Sequence, residues 1–476
     1  MKKYLFVVML GAAGTAAAQQ HDHHTTPSAP AADTSRRGNH EQMDHSTMDH
    51  SKMDHSKMEH GAGSMDHSGM HTGGSMSHLY SRNLPMSRNA SGTAWLPDQT
   101  PMYMNMWHRS KWMYMLHYAV YIRLTNQNFN NRSKRGSEAE FNAPNWFMGM
   151  AQRTVGRRGL FSVKAMVSLD PLTVSPNGYP LVFQSGETYK GQRLIDRQHQ
   201  HDLISELSVG YAHAFSKDAD AFVYLGFPGE PALGPPAFMH RISSFNNPDS
   251  PLGHHWQDAT HITYGVATAG FRYKIAKLEV SSFTGREPNE NRLGFDRPRF
   301  DSYSYRVSVN PTSSLAFQFS QGWLTAPEAL EPDEDVVRTT ASVLHGVSMG
   351  RPDVYLSSAL VWGQNNSHGH LDNSFLVETT LQLNRVAFYG RFENIAKSAG
   401  ELGLEDALPG RHGLMINNLT LGTNYRLLRF ASTDLVLGAQ LTGAKPEAAL
   451  EPIYGKTPLS GQVYLRINPA FMPLTR

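Results

Sequence analysis

From Trp95 onward, apolar and polar residues alternate along segments of about ten residues, which Gly, Pro, Asn and Asp interrupt. In "DSYSYRVSVN" (301–310), the tyrosine and valine side chains would face one side of a strand, and the serine and arginine side chains the other. The segments "SLAFQFSQG", "NLTLGTNYRL" and "DLVLGAQLTG" repeat this pattern. A period of two residues predicts β-strands with one apolar and one polar face.

The alternating region divides into sixteen candidate strands. Their approximate bounds are 112–122, 144–154, 160–169, 204–214, 220–226, 261–273, 277–285, 301–310, 315–323, 336–345, 353–362, 374–383, 386–393, 416–427, 433–441 and 461–468. Short joins such as "VGRRG", "FSKDAD", "YKIAK", "NPTSS" and "NR" alternate with long ones at 170–203, 227–260, 286–300, 324–335, 394–415 and 442–460.

An even number of strands, with short turns at one end and long loops at the other, is typical of outer-membrane barrels. The pattern therefore predicts an all-β fold, an antiparallel outer-membrane β-barrel of about sixteen strands over residues 91–476, with both termini in the periplasm. Phe471 would supply the aromatic residue that closes such a chain. A soluble sandwich or propeller is the alternative, because these folds also contain many short strands.

The chain before the barrel has two parts. Lys2 and Lys3, an apolar run and a small-residue stretch predict a secretory signal peptide over 1–18, cut after Ala18. Residues 19–90 are rich in His, Met, Ser, Gly and Asp, with Tyr80 as the only aromatic residue, and they contain too few apolar side chains to offset the entropy of ordering. This segment is predicted to be a disordered arm in the periplasm.

The arm repeats Met, an acidic residue and His every five residues in "MDHSTMDHSKMDHSKMEH" (43–60). A helix would spread this repeat around its axis, since five residues advance it by about 500°. Thioethers bind Cu(I), whereas imidazoles suit Cu(II), Cu(I) and zinc, so the arm is predicted to bind copper, with silver not excluded. The predicted ligands are Met43, His45, Met48, His50, Met53, His55, Met58, His60, Met65, His67, Met70 and His71. The alternative is a polar spacer that binds metals incidentally.

Two long joins of the predicted barrel carry a second group of possible ligands. The group consists of His199, His201, Asp202, His240, His254 and His255, accompanied by Glu230, Met239, Asp258 and His261. Histidines at i and i+2 share a face of an extended segment, and residues of the neighbouring loop could complete a zinc or copper site. The competing interpretation, which we favour from the sequence, is that these side chains bond to Asp and backbone groups in loops that fill the barrel.

The methionines of "PMYMNMWHRSKWMYMLHY" (101–118) alternate with other residues. On the lumen wall they could pass Cu(I) onward from the arm. The sequence favours the other interpretation, in which Met113 and Met115 face lipid and Trp107, Trp112 and Tyr114 lie at the membrane interface.

The arm repeat resembles the Met/Asp/His repeats at the start of the outer-membrane copper-resistance proteins called CopB or PcoB. Segments of residues 91–340, including "NWFMGMAQR", "DRQHQHD", "GFPGEPALGPPAFMHR" and "HHWQDATHITYGV", resemble a family of secreted proteins associated with copper and heavy-metal resistance. Both resemblances imply metal tolerance at the cell envelope, and neither implies a reaction.

Composition removes other classes of function. The absence of Cys excludes thiolate metal sites and iron-sulfur clusters, and a formal charge of +2 without basic blocks gives no sign of a nucleic-acid partner. No catalytic motif is present, so an enzyme is not expected.

We expect a copper-resistance protein whose arm sequesters copper, with copper efflux or oxidase proteins as candidate partners. The alternatives are an outer-membrane channel and a soluble periplasmic copper chaperone.

Overall fold

The computed structural model describes residues 77–351 and 353–472, which form a closed antiparallel β-barrel. Sixteen strands form its wall. They are β1 Trp112–Gln127, β2 Asn145–Val155, β3 Gly159–Val167, β4 Ile204–Ala214, β5 Ala219–Gly226, β6 Val266–Tyr273, β7 Ala276–Phe283, β8 Ser302–Thr312, β9 Leu315–Leu324, β10 Val336–Arg351, β11 Val354–Ser367, β12 His370–Leu383, β13 Val386–Lys397, β14 Leu414–Phe430, β15 Thr433–Pro446 and β16 Leu459–Pro469. Each predicted strand overlaps an observed one, so the predicted fold is confirmed.

The barrel closes where β16 pairs with residues 120–126 of β1. Two short strands, Asn105–Arg109 and Glu138–Asn142, pair with the two ends of β1 and extend the wall. The remaining short strands are Ser77–His78, Ser81–Pro85, Met102–Tyr103, Tyr179–Pro180, Thr188–Tyr189, Gln192–Arg193, Arg197–Gln198 and Phe471–Met472. Phe471 pairs with Tyr103 and does not end the last barrel strand.

Helical elements in the described residues are single turns. The α-helices are α1 Asp170–Thr173, α2 His254–Gln257 and α3 Glu451–Tyr454, and 3-10 turns occur at Met86–Arg88, Phe238–His240, Ala259–His261 and Ala448–Leu450. Among these residues, no helix has the length and apolar character needed to cross a membrane.

The joins between strands differ at the two ends of the barrel. One end, called the short-turn end, carries the joins at 156–158, 215–218, 274–275, 313–314, 384–385 and 431–432. The other end, called the long-loop end, carries the joins at 128–144, 168–203, 227–265, 284–301, 325–335, 398–413 and 447–458, and one two-residue turn at 368–369. The predicted alternation of short and long joins is therefore confirmed.

The outside of the barrel is apolar and its inside is polar. In β8, Tyr303 and Val307 are 57% and 38% exposed, whereas Ser304 and Arg306 are buried in the lumen. Phe317 and Phe319 of β9 likewise project outward. An outer surface of large apolar side chains is the wall of an outer-membrane barrel, because lipid is the solvent that this surface suits.

Segments 77–104, 168–203 and 227–265 fill the lumen. Buried ion pairs join segment 227–265 to the wall: Arg241 lies 2.9 Å from Glu378 of β12, and Asp249 lies 2.7 Å from Arg123 of β1. The Asn310 side chain of β8 donates a hydrogen bond to the Leu96 carbonyl at 2.9 Å. Such pairs fix the segments in place, since removing one partner would leave a buried charge uncompensated.

The predicted end of the disordered arm at residue 90 is wrong. Residues 77–90 are folded inside the barrel, where Leu79 and Tyr80 are buried. The Tyr80 ring lies 5.2 Å from the Phe222 ring and 6.0 Å from the Tyr224 ring, measured between centroids. Few apolar residues suffice here, because the lumen wall supplies the rest of the packing surface. The remainder of the predicted arm, 19–76, lies outside the described residues.

The prediction that Met113 and Met115 face lipid is also wrong. Both side chains point into the lumen, with 0% and 1% exposure. The neighbouring positions, Trp112 and Tyr114, occupy the outer face, and Tyr114 stacks on the exposed Trp107 at 5.7 Å. Alternation specifies two faces but does not say which one meets lipid. The interfacial aromatics take the outer face and leave the lumen to the methionines.

Candidate functional site

The two longest joins bring five histidines together inside the barrel. His199 and His201 lie in the 168–203 join, directly after the Arg197–Gln198 strand. His254 and His255 form the start of α2, and His261 ends the 3-10 turn that follows. The Asp258 amide donates to the His254 carbonyl at 3.0 Å, and this helical turn places His254 near His261.

The five imidazoles form a closed ring, called the histidine ring. Neighbouring ring centroids are 6.5 Å apart for His199 and His201, 5.9 Å for His201 and His261, and 5.1 Å for His261 and His254. The ring closes through His255, which lies 5.3 Å from His254 and 6.4 Å from His199. Each imidazole therefore has two imidazole neighbours.

Most of these imidazoles use Nδ1 to contact a fixed acceptor. His254 Nδ1 lies 2.6 Å from the Asp258 carboxylate, and His201 Nδ1 lies 3.0 Å from that of Asp170.

His255 Nδ1 lies 3.3 Å from Glu287, and His261 Nδ1 lies 2.8 Å from the Asp258 carbonyl. Nε2 is then the nitrogen left for a metal, and His261 Nε2 is buried without a hydrogen-bond partner. A carboxylate or carbonyl on the far nitrogen is the arrangement that orients metal-binding histidines.

His199 differs because both of its ring nitrogens have a partner: its Nδ1 lies 2.8 Å from the Gln200 carbonyl, and its Nε2 lies 3.3 Å from Glu187. Glu187 also pairs with Arg292 at 2.8 Å. His199 can therefore bind a metal only by giving up one of these contacts.

Burial keeps most of the ring neutral. It lowers the pKa of His261 to about 3, helped by the nearby His254 and His201. Burial also lowers the pKa values of His199 and His254, although Asp258 opposes the effect at His254. At His255, burial favours the neutral form, but Glu287 and Glu187 outweigh it and raise the pKa. Neutral imidazole is the form that binds metals, so His255 is the ring member at which protons compete most.

The spacing of the histidine ring matches a metal site only in part. Two imidazoles on one tetrahedral metal, with bonds of about 2.0–2.1 Å, have centroids about 5 Å apart. His254 meets this spacing with both His255 and His261, whereas His199 and His201 stand farther away. Accordingly, no group of three or more His, Asp or Glu side chains within the described ranges already surrounds a single metal position. Binding three imidazoles would require the more distant side chains to move closer together.

An acidic cavity lies beside the ring. It has a volume of about 430 Å³, and Glu187, Glu287 and Glu290 contribute to its lining. Two of these carboxylates also contact ring histidines. Gly186 separates the cavity from His255, and a Cβ at this position would lie 2.5 Å from His255 Nε2. The cavity therefore gives cations an electrostatically favourable approach to the ring.

Four of the six predicted loop ligands belong to the ring, namely His199, His201, His254 and His255. Asp202 lies beside it but faces Arg292 at 3.4 Å. His240 packs on Trp146 at 4.9 Å and is not a ring member. His261, which the sequence also placed beside these candidates, completes the ring seven residues after His254. The predicted ligands from Met43 to His71 lie outside the described residues.

No protein-family model matches the chain, and no curated protein sequence matches it. Among solved structures, OmpF of Salmonella typhi in complex with daunomycin aligns with a TM-score of 0.47 and 8% identity, over 75% of this chain and 98% of that one. OmpT, an outer membrane protein of Vibrio cholerae, aligns with a TM-score of 0.44 and 9% identity, over 76% and 99%. An anion-selective porin from Comamonas acidovorans has the same TM-score and identity, over 75% and 99%.

Proposed function

We propose that this protein binds copper at the outer membrane and thereby protects the cell envelope. The observation that carries the proposal is the histidine ring, in which buried imidazoles are held by carboxylates and a carbonyl inside the barrel. The periplasmic Met/His arm would capture copper first, and the ring would provide a second binding position within the membrane protein.

The ligand types favour copper. The arm offers thioethers, which bind Cu(I) well and zinc poorly, while the ring offers imidazoles, which bind both copper oxidation states. Silver shares the softness of Cu(I) and is a second candidate for the arm. Copper efflux or oxidase proteins would be partners that receive or oxidise the ion.

A contact made by the first described residues supports a periplasmic location for the arm. The Asn83 side chain donates to the Ser216 carbonyl at 3.1 Å, in a join at the short-turn end. Short turns are periplasmic in outer-membrane barrels. The first described residues therefore contact the barrel at the end where periplasmic copper would reach them.

The two alternative functions receive less support. An open channel does not suit a lumen that three chain segments fill, one of which is tied to the wall by buried ion pairs such as Arg241–Glu378. A soluble chaperone does not suit an outer wall of exposed Phe, Tyr, Leu and Val side chains. Extraction of the protein from cells without detergent would favour the chaperone function instead.

Copper titration of the full-length mature protein in detergent tests the proposal. Under oxidising conditions, we expect the variant His254→Gln/His261→Gln to bind fewer Cu(II) ions than the parent, because only the arm histidines remain. Under reducing conditions, we expect a variant with Met43, Met48, Met53, Met58 and Met65 changed to Leu to lose Cu(I) binding. A matched control is His368→Gln/His412→Gln, since these residues lie in other joins than the ring members. Unchanged binding in both test variants would refute the proposal.

A further inference from the structure

Methionines are concentrated in one buried cluster of the barrel. In the described residues, this cluster has 24 buried members, of which nine are methionine. The methionines are Met86, Met102, Met104, Met113, Met115, Met148, Met150, Met166 and Met239. We call this group the methionine cluster.

Packing needs alone do not explain this concentration. A second described cluster has 16 buried members, and none of them is methionine. It is built from Leu, Ile, Val, Ala and aromatic residues. Methionine is the most flexible apolar side chain and specifies packing poorly, so a purely structural core gains little from nine of them.

The strand register brings thioethers and an imidazole together on the inner wall. Met115 of β1 lies opposite Met150 of β2, and His117 lies opposite Met148. Met148 in turn lies opposite Met166 of β3. Directly opposite residues of antiparallel strands have Cα atoms about 4.5–5.5 Å apart, so these side chains are neighbours on one face.

A cavity of about 60 Å³ lies against this wall. Its lining includes Met148 and Met150 from the wall, Met104 and Met86 from segment 77–104, and Met239 from segment 227–265. Two imidazoles, His117 and His240, complete the set of possible ligands, and His117 Nε2 is buried without a hydrogen-bond partner. The cavity has room for an ion and faces ligands from three parts of the chain.

The charge of the lining selects the kind of ion. Among the described residues that line the cavity, none is Asp, Glu, Lys or Arg. A hard divalent ion would be buried there without a compensating charge. A soft monovalent ion bound by neutral thioethers and imidazole carries the smallest such penalty, and Trp146 adds an aromatic surface.

We propose that the methionine cluster is a Cu(I) or Ag(I) site in the barrel lumen, in which Met148, Met150 and Met239 bind the ion together with His117 or His240. This inference rests on the proposed copper function and extends it from the arm to the barrel. The interpretation of a lumen-facing row of methionines, which the sequence disfavoured, is the one that the inward direction of Met113 and Met115 now supports.

The site adjoins the histidine ring. Met239 and Trp146 also line a second cavity of about 40 Å³, which reaches His201 of the ring. The methionine cluster begins near the short-turn end, with Met113 just after the turn at 110–111, while the ring belongs to the long-loop joins. An ion from the arm would therefore meet thioethers first and imidazoles second.

Silver titration followed by NMR of methionine methyl groups tests this site. Ag(I) is diamagnetic and is not oxidised by air, so methyl shifts can be assigned to binding. The sample is the full chain in detergent with 13C-methyl methionine, in the arm variant in which Met43, Met48, Met53, Met58 and Met65 are Leu. We expect saturable shifts of the Met148, Met150 and Met239 methyl groups.

Two further variants complete the test. Met148→Leu/Met150→Leu/Met239→Leu should weaken Ag(I) binding in the arm-variant background at least tenfold, while Met349→Leu/Met415→Leu should leave it unchanged. Met349 is 45% exposed, and neither control residue belongs to the methionine cluster.

The outcomes separate the two proposals. Unmoved wall methyl groups in the arm variant, or equal Ag(I) binding by the triple variant, would overturn the lumen site. In the parent chain, shifts confined to the arm methyl groups would also overturn the lumen site, but they would support metal binding by the arm. Shifts of the Met148 and Met150 methyl groups without any shift of the arm methyl groups would support the lumen site and overturn metal binding by the arm.

Discussion

The two large buried clusters of the barrel are built from different apolar residues. The second cluster, which contains no methionine and which we call the aliphatic cluster, fixes the long loops to the strands at the long-loop end. Its members include Phe183, Trp256, Ile416, Leu450 and Tyr454. The methionine cluster lies against β1–β3 and surrounds a cavity with two imidazoles.

Under the proposed lumen site, the aliphatic cluster stabilises the fold and the methionine cluster binds the ion. Branched and aromatic side chains have few rotamers and pack to one arrangement, which is what a loop anchor needs. Methionine adapts its shape and offers a sulfur lone pair, which is what an ion site needs. Four predictions test this separation.

The largest effect is expected in the aliphatic cluster. Ile416→Ala removes a side chain with 0% exposure and should lower the free energy of unfolding by about 2–5 kcal/mol. Denaturant unfolding in detergent measures this change. Ag(I) binding by the folded variant should equal that of the parent, and a parallel loss of Ag(I) binding would contradict the separation.

Met150→Leu should change Ag(I) affinity more than stability, which is the reverse of the effect expected for Ile416→Ala. The swap nearly conserves volume, so the free energy of unfolding should change by less than about 1.5 kcal/mol. Ag(I) affinity should fall about tenfold, which corresponds to about 1.4 kcal/mol. Calorimetry in the arm-variant background, with Met349→Leu as the control, measures both quantities. A large loss of stability with unaltered affinity would make Met150 a packing residue.

The third prediction concerns pH. The pKa of His261 is about 3 in the folded protein and near 6.5 when the chain is unfolded, so the unfolded state binds the extra proton between these values. Stability should therefore fall as the pH is lowered from 6.5 towards 3. Burial makes His199 and His254 act in the same direction, and His255, whose pKa is raised, opposes them.

The variant His261→Gln should show a smaller loss of stability over this interval, measured as the denaturation midpoint at several pH values. Ag(I) binding through thioethers should hardly change between pH 5 and pH 8, since thioethers take up no proton. A steep pH dependence of Ag(I) binding would mean that histidines, and not methionines, are the main ligands.

The smallest effect is expected at Gly186. Its φ of +120° is rarely adopted by other residues, and an added Cβ would meet the His255 ring at 2.5 Å. Gly186→Ala should cost about 1 kcal/mol or more of stability and weaken Cu(II) binding at the histidine ring a few-fold. Gly191→Ala is a control, because its φ is also positive and nothing lies within 4 Å of the added Cβ. Equal effects of the two substitutions would mean that only the backbone conformation matters.

Alternation and join lengths predicted the barrel, its strand number and its two unlike ends, because a strand with one lipid face must repeat with period two. The residue types also predicted copper ligands in the arm, which lie outside the described residues, and a possible set of metal ligands in the long loops, four of which the fold brings together.

Tertiary structure decided the rest. Periodicity could not tell which face of β1 meets lipid, so Met113 and Met115 were assigned to the wrong side. Composition could not show that residues 77–90 find partners such as Phe222 in the lumen. The histidine ring joins side chains from two joins that are about sixty residues apart in the chain. Only folding of both loops into one lumen brings those imidazoles together, because their contact depends on three-dimensional packing and not on local sequence.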